Sequence, residues 1–240
     1  MTCVILCGGF ATRLRHITAN CPKALLPIGG KPFLWYMLHA LRRQGATRIV
    51  LSTGHLGTMI ADYVGDGHQW QLTIQCIQER QPLGTGGAVR LAAETLKLRE
   101  SFLVLNGDTF FSGPIRRLIA AHRARPDAMG TMALIRVKDA GRYGRVDVDV
   151  RSGFVRRFDE KLADDTRPAW INAGIYMLEP ALIADIRADQ MISLEREIFP
   201  SWVGQGLYGC CYEEACFLDF GTPEDYARAS TIVHHWTTGA

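Results

Sequence analysis

The chain has 240 residues, 48% of them hydrophobic and 21% charged, with a net charge of +3. That composition excludes a disordered or fibrous chain and suits one large α/β domain or at most two small ones. No apolar run approaches the roughly 18 residues of a membrane span. The seven cysteines form no C-x-x-C pair, which speaks against zinc and dithiol centres and for a soluble, cytoplasmic, reducing setting.

In chain order, Thr2-Cys3-Val4-Ile5-Leu6-Cys7 is a short apolar run with no basic region before it, so it reads as a buried strand and not a signal peptide. It leads directly into Gly8-Gly9-Phe10-Ala11-Thr12-Arg13-Leu14. A glycine turn at a strand's carboxyl end lets backbone N–H groups approach phosphate oxygens, and the planar fork of Arg13 can grip a polyphosphate. By itself the pattern fits an ordinary tight turn equally well. The first acidic residue is Asp62, preceded by Arg13, Arg15, Lys23, Lys31, Arg42, Arg43 and Arg48, a leading segment built to meet an anion. Pro22 and Pro27 bracket Lys23 and stiffen its loop.

Further strands are expected at 48–53, 72–77 and 102–107, and helices at 32–44, 56–64, 85–97 and 114–124. The 32–44 helix has Pro32 in its first turn and ends at Gly45. This alternation implies mostly parallel strands with right-handed crossovers. After about residue 130 strand-like runs recur at 131–137, 146–150, 153–158 and 171–178. A last helix is expected over 223–236, with Thr222 as cap and Pro223, Glu224 and Asp225 in its first turn. The expected class is α/β: a Rossmann-like three-layer αβα sandwich with a mixed, mostly parallel sheet and β-rich additions in the second half.

Two familiar phosphate loops are excluded. Leu25 stands where a Walker A loop needs its first glycine, and Pro32 replaces the Ser or Thr after Lys31. A dinucleotide fingerprint needs G-x-G-x-x-G and an acid about 20 residues on, and no acid occurs before Asp62. The histidines His16, His39, His55, His68, His122, His234 and His235 show no metal-ligand spacing. Trp35, Tyr36, Met37 and Leu38 read as a core helix face, and Arg116-Arg117 with His122-Arg123 and Arg125 as a solvated basic face.

Gly8-Gly9-x-x-Thr12-Arg13-Leu14, Pro22-Lys23 and Leu26-Pro27 together resemble the opening of the sugar-phosphate nucleotidylyltransferases. Later segments agree in order: Glu79-Arg80-Gln81-Pro82-Leu83-Gly84-Thr85-Gly86-Gly87, Asn106-Gly107-Asp108-Thr109, Asp159-Glu160-Lys161, Ile171-Asn172-Ala173-Gly174 and Leu218-Asp219-Phe220-Gly221-Thr222-Pro223. The wording Asn106-Gly107-Asp108-Thr109-Phe110-Phe111 and Ser193-Leu194-Glu195 is similar to the D-glycero-α-D-manno-heptose 1-phosphate guanylyltransferases. Ala11 departs from the family's usual glycine.

The resemblance implies one nucleotidyltransferase domain over 1–240, with a nucleotide-binding half at 1–110 and a sugar-phosphate half at 111–240. It implies transfer of GMP from GTP to a sugar 1-phosphate, with pyrophosphate released and Mg²⁺ as cofactor. Catalytic roles are expected for Arg13, Lys23 and Asp108, and nucleotide contacts for Leu6, Gly8, Gly9, Thr12, Arg13, Lys23, Glu79, Pro82, Gly84, Thr85 and Gly87. Gly107, Glu160, Lys161, Asn172 and Gly174 are expected to hold the sugar phosphate, and Asp108 and Asp219 the metal. Each of these aspartates ends an apolar run, and two converging carboxylates suit Mg²⁺. Either alone also fits an aspartate capping a turn. Glu79 suits guanine because a carboxylate accepts from that base's ring N–H and amino group together. Neither nucleic acid nor membrane is an expected partner, and a homodimer is compatible with the sequence. The alternatives are a mannose-1-phosphate guanylyltransferase, a uridylyltransferase for an N-acetylated sugar 1-phosphate, and a non-enzymatic domain that senses nucleotide sugars.

Overall fold

The fold is known from a computed structural model that describes residues 1–9, 14, 20–159 and 167–229. In chain order its strands are β1 (Thr2–Cys7), β2 (Pro27–Ile28), β3 (Lys31–Pro32), β4 (Arg48–Thr53), β5 (Thr73–Gln78), β6 (Phe102–Asn106) and β7 (Thr109–Phe111). They continue with β8 (Gly130–Val137), β9 (Arg145–Val148), β10 (Val155–Asp159), β11 (Ala169–Leu178), β12 (Leu207–Tyr212) and β13 (Phe217–Asp219). The helices are α1 (Phe33–Arg43), α2 (Gly57–Val64), α3 (Gly84–Thr95), α4 (Ile115–Arg123) and α5 (Phe199–Trp202), with a π-helical turn at Leu194–Ile198. The chain divides into two compact units that do not follow chain order. The first holds Met1–Pro82, Leu105–Ser112 and Cys216–Ala240; the second holds Leu83–Val104 and Gly113–Ala215.

In the first unit β1, β4 and β5 run parallel, Val4 opposite Val50 and Val50 opposite Gln75. The centres of β1 and β4 are unbroken apolar runs, as in sheets covered on both faces, whereas β5 at the end of the strand order alternates exposed and buried residues. Cys3, Val4, Ile5, Ile49, Val50 and Leu51 are fully buried. Helix α1 buries Phe33, Leu34, Tyr36, Met37, Leu38 and Leu41, and ends on Gly45 at φ +89°. That left-handed residue is the usual glycine C-terminus of a helix. Phe33 meets Phe220 edge-on at 4.5 Å between ring centroids. Residues 223–229 are helical, and the Asp225 N–H donates to Thr222 Oγ1 at 3.3 Å. The Thr222 hydroxyl donates in return to Asp225 Oδ2 at 2.8 Å, a reciprocal cap of the expected kind. The expected remainder of that helix, 230–236, lies outside the described residues.

In the second unit β8 pairs antiparallel with β11 and parallel with β12, while β9 pairs antiparallel with β10 and β11. The expected class holds: α/β, with a mixed sheet, parallel in the first unit and enriched in antiparallel strands after residue 130. The register of β11 on β8 shifts between Asn172 and Tyr176. Gly174 sits at φ +69° inside that bulge, a conformation that strains any residue with a Cβ.

The expected solvated basic face needs correction. His122 is not part of such a face but is 3% exposed, with Nδ1 2.9 Å from Thr131 Oγ1 and Nε2 2.9 Å from Glu179 Oε1. Arg125 likewise donates to the carbonyls of Ala121, at 2.7 Å, and Ser152. Helix spacing puts His122 on the same face as Ile115 and Leu118, and that face is buried.

Candidate active site

The carboxyl ends of β1, β4, β5 and β6 gather the first unit's candidate residues, as open parallel sheets do. They meet through glycine. A Cβ on Gly54 would lie 2.7 Å from the Gly8 carbonyl oxygen, and one on Gly8 would lie 2.5 Å from Glu79 Oε1. A Cβ on Gly107 would strike the Leu6 carbonyl oxygen at 2.6 Å, and the Gly107 N–H already donates to that oxygen at 3.0 Å. Gly8 and Gly107 thus answer a close approach of backbone to neighbour. Gly9 is exposed, and a Cβ there would meet no atom of the described residues within 4 Å. Pro82 is exposed as well.

Glu79 follows β5 directly. Its Oε1 accepts a hydrogen bond from Ser52 Oγ at 3.0 Å, and its N–H donates to the Thr53 carbonyl at 2.8 Å. The carboxylate is therefore fixed against the glycine turn after β1. Cys7 flanks the same corner. Burial first, then the nearby Asp108 and Cys76, pushes its thiol up, so it stays protonated and is no nucleophile.

The strongest polar feature is Lys23 between two carboxylates. Its Nζ donates to Asp108 Oδ2 at 2.6 Å and lies 3.8 Å from Asp219 Oδ1. The ammonium also sits 5.0 Å from the Phe220 ring centroid. The Lys23 side chain is 13% exposed, those of Asp108 and Asp219 37% and 32%. Asp108 follows β6 and Asp219 ends β13, which pairs antiparallel with β7 so that Asp219 faces Thr109. That two-stranded ribbon brings the two aspartates to the same lysine. Among the described residues no group of three or more His, Cys, Asp or Glu is arranged to hold a metal. Two part-exposed carboxylates nevertheless fit Mg²⁺, which takes one or two protein carboxylates and completes its shell with waters and phosphate oxygens. The buried Asn106 Oδ1 beside Asp108 has no hydrogen-bond partner among the described residues.

The second unit holds the other described candidates. Asn172 uses its amide on both sides: Nδ2 donates to Tyr176 OH at 2.8 Å, and Oδ1 accepts from the Gly174 N–H at 2.9 Å. Gly84 is at φ +68°, and a Cβ there would lie 2.5 Å from the Ile192 carbonyl oxygen. A Cβ on Gly87 would lie 2.8 Å from the Gln190 carbonyl oxygen. These glycines seat α3 on the 190–192 backbone. Thr85 donates to Glu195 Oε2 at 2.7 Å. Arg13, Thr12, Ala11, Glu160 and Lys161 lie outside the described residues. Ser52, Tyr176 and Glu195 hold candidate side chains in place, a role the sequence alone assigns to none of them, although Glu195 lies in the Ser193-Leu194-Glu195 segment.

The profile of the nucleotidyl transferase family matches residues 2–235. A mannose-1-phosphate guanylyltransferase of Mycobacterium tuberculosis is 36% identical over 95% of this chain, which spans 63% of that protein. A D-glycero-α-D-manno-heptose 1-phosphate guanylyltransferase of Campylobacter jejuni is 34% identical over 94% of this chain and 97% of its own. The crystal structure of HddC from Yersinia pseudotuberculosis complexed with GMP-PN superposes with a TM-score of 0.82 at 32% identity, covering 97% of this chain and 99% of that one. Proteins of this family generally use a divalent metal. No helix among the described residues is long and apolar enough to cross a membrane.

Proposed function

The chain belongs to the nucleotidyl transferase family, and we propose that it transfers GMP from GTP to a sugar 1-phosphate in the cytoplasm, with Mg²⁺ as the divalent metal. An oxygen of the sugar phosphate attacks the α-phosphorus in line, the bond to the β-phosphate oxygen breaks, and pyrophosphate leaves. The nucleophile is already ionised at neutral pH, so no general base is needed, and catalysis reduces to positioning and charge stabilisation. The observation that carries this reading is the Lys23 ammonium held 2.6 Å from Asp108 and 3.8 Å from Asp219 at the carboxyl end of the sheet.

Asp108 and Asp219 would hold Mg²⁺, which when bound neutralises and polarises the α-phosphate. Lys23 and Arg13 bind the triphosphate and stabilise the departing pyrophosphate, and Leu6, Gly8, Gly9 and Thr12 contact the nucleotide. Glu79 reads the guanine edge, its carboxylate turned by Ser52. Pro82, Gly84, Thr85 and Gly87 shape the nucleoside loop. Asn172 hydrogen-bonds sugar hydroxyls together with Glu160, while Lys161 pairs with the sugar's phosphate and Gly107 and Gly174 admit the sugar phosphate to the backbone.

D-glycero-α-D-manno-heptose 1-phosphate is the favoured sugar, because the Campylobacter protein with that name is matched over 97% of its length. Mannose 1-phosphate is the second reading, favoured by the 36% identity to the Mycobacterium protein. Pyrophosphate release measured with each of the four nucleoside triphosphates, paired with both sugar phosphates, tests the proposal. Release with GTP above the others supports it; release with UTP and not GTP overturns it.

A further inference from the structure

Glu195 lies in the π-helical turn Leu194–Ile198, an irregular form of helix that is rare and often functional. Its carboxylate collects three hydroxyl donors. Tyr176 OH donates to Oε1 at 3.2 Å, while Thr85 Oγ1 and Ser193 Oγ donate to Oε2 at 2.7 and 2.9 Å. Each of two donors passes the link on. Tyr176 OH accepts from Asn172 Nδ2 at 2.8 Å, and Thr85 Oγ1 accepts from the Leu194 N–H at 2.8 Å. Tyr176, at the middle of this chain of bonds, is fully buried, while Asn172, Thr85, Ser193 and Glu195 are half-buried, so the links at Tyr176 are the ones shielded from water, where each counts for more.

An ionised carboxylate is acceptor-only, with about four lone-pair sites. It can therefore receive three hydroxyls at once and hold all of their protons pointing inward. That polarity decides what Asn172 presents. Because Tyr176 spends its proton on Glu195, its oxygen must accept from Asn172, which fixes the Asn172 amide with Oδ1 toward Gly174. Among the described residues that leaves one amide proton and one lone pair of Asn172 for a ligand.

We propose that Glu195 is a positioning residue for the transfer reaction: through Tyr176 it sets the amide orientation of Asn172, and through Thr85 it anchors the start of α3. The proposal rests on Asn172 as a sugar ligand. In Glu195→Gln the amide oxygen keeps the two hydroxyls from Thr85 and Ser193, and the amide NH₂ turns to Tyr176. The Tyr176 proton then loses its acceptor, and its oxygen is contested between Gln and Asn172.

The test is steady-state kinetics on the intact protein with GTP and heptose 1-phosphate, for Asn172→Ala, Glu195→Gln, Tyr176→Phe and the double variant. Glu195→Gln should raise KM for the sugar phosphate about tenfold, the size of one lost charge-assisted hydrogen bond, with KM for GTP changed less and the thermal midpoint near wild type. Tyr176→Phe should do the same, and the double variant should be no worse than the worse single, because both cut one chain. Multiplying effects, or a wild-type KM in Glu195→Gln, overturn the positioning role. Should Glu195→Gln not fold, a wild-type KM in Tyr176→Phe overturns it equally. An unchanged KM in Asn172→Ala overturns the sugar-ligand reading beneath it, whereas a raised KM there beside an unchanged one in Glu195→Gln sinks the positioning role alone.

Discussion

Lys23 shows how much one side chain can settle. Its ammonium is nearly buried and sits against two carboxylates, so removing either partner leaves a charge with poor compensation. Asp108→Asn keeps the shape and a hydrogen-bond acceptor for Lys23 but removes the charge a divalent cation needs. Turnover at saturating Mg²⁺ should fall at least about a hundredfold, the scale of losing one preorganised electrostatic contact, while the circular dichroism spectrum stays that of the wild type. Glu79 makes a different prediction, because it is proposed to choose the base and not to drive the reaction. Glu79→Gln should narrow the preference for GTP over UTP by about tenfold or more, read as the ratio of kcat/KM values for the two nucleotides. Both residues are singled out in the sequence by the family resemblance, Asp108 also by its place after an apolar run. The supporting roles of Ser52, Tyr176 and Glu195 are not, because hydrogen bonds between distant positions leave no trace in local sequence. His122 misleads in the opposite way: arginines on either side make a buried residue look solvated.

Glycine does much of the shaping at the level of elements. Strands β1, β4 and β5 and helices α1 to α4 lie within a residue or two of where periodicity and turn residues place them, since long apolar runs bounded by glycine or proline are strong local signals. The ribbon of β7 and β13 is invisible by comparison. Each strand is three residues long, and each depends on the other for its hydrogen bonds. Yet that ribbon is what sets Asp219 beside Asp108. Gly84 offers the sharpest test of an element. Its φ of +68° and the Ile192 carbonyl 2.5 Å from the Cβ position leave no room for a side chain. Gly84→Ala should therefore lower the unfolding free energy by about 1–3 kcal/mol, seen as a lower urea midpoint at unchanged slope. A wild-type midpoint would mean that the 190–192 segment yields readily to α3.

For the whole molecule, the seven cysteines remain reduced, all of them free thiols, and they set its behaviour at high pH. Burial lifts the Cys3 thiol from 9.0 to about 12 and the Cys211 thiol from 9.0 to about 11. Above pH 9 the unfolded chain gives up these protons while the folded chain keeps them. The unfolded state then binds fewer protons, so stability falls as pH rises from about 9 towards 11–12. The thermal midpoint should drop across that window and hold steady between pH 7 and 8.5. Chelation should act on function alone: EDTA should abolish turnover and leave the midpoint unmoved, because the proposed metal site draws on only two protein carboxylates and takes its remaining ligands from substrate and water. Residue, ribbon and sheet serve one proposed reaction, guanylyl transfer to a heptose 1-phosphate. Its most direct measurement is ³¹P NMR of the purified protein mixed with GTP, Mg²⁺ and D-glycero-α-D-manno-heptose 1-phosphate. Pyrophosphate and a diphosphate-linked GDP-heptose should grow equally, with faster conversion than for mannose 1-phosphate; unchanged GTP with both sugars, or conversion only when UTP replaces it, would contradict the proposal.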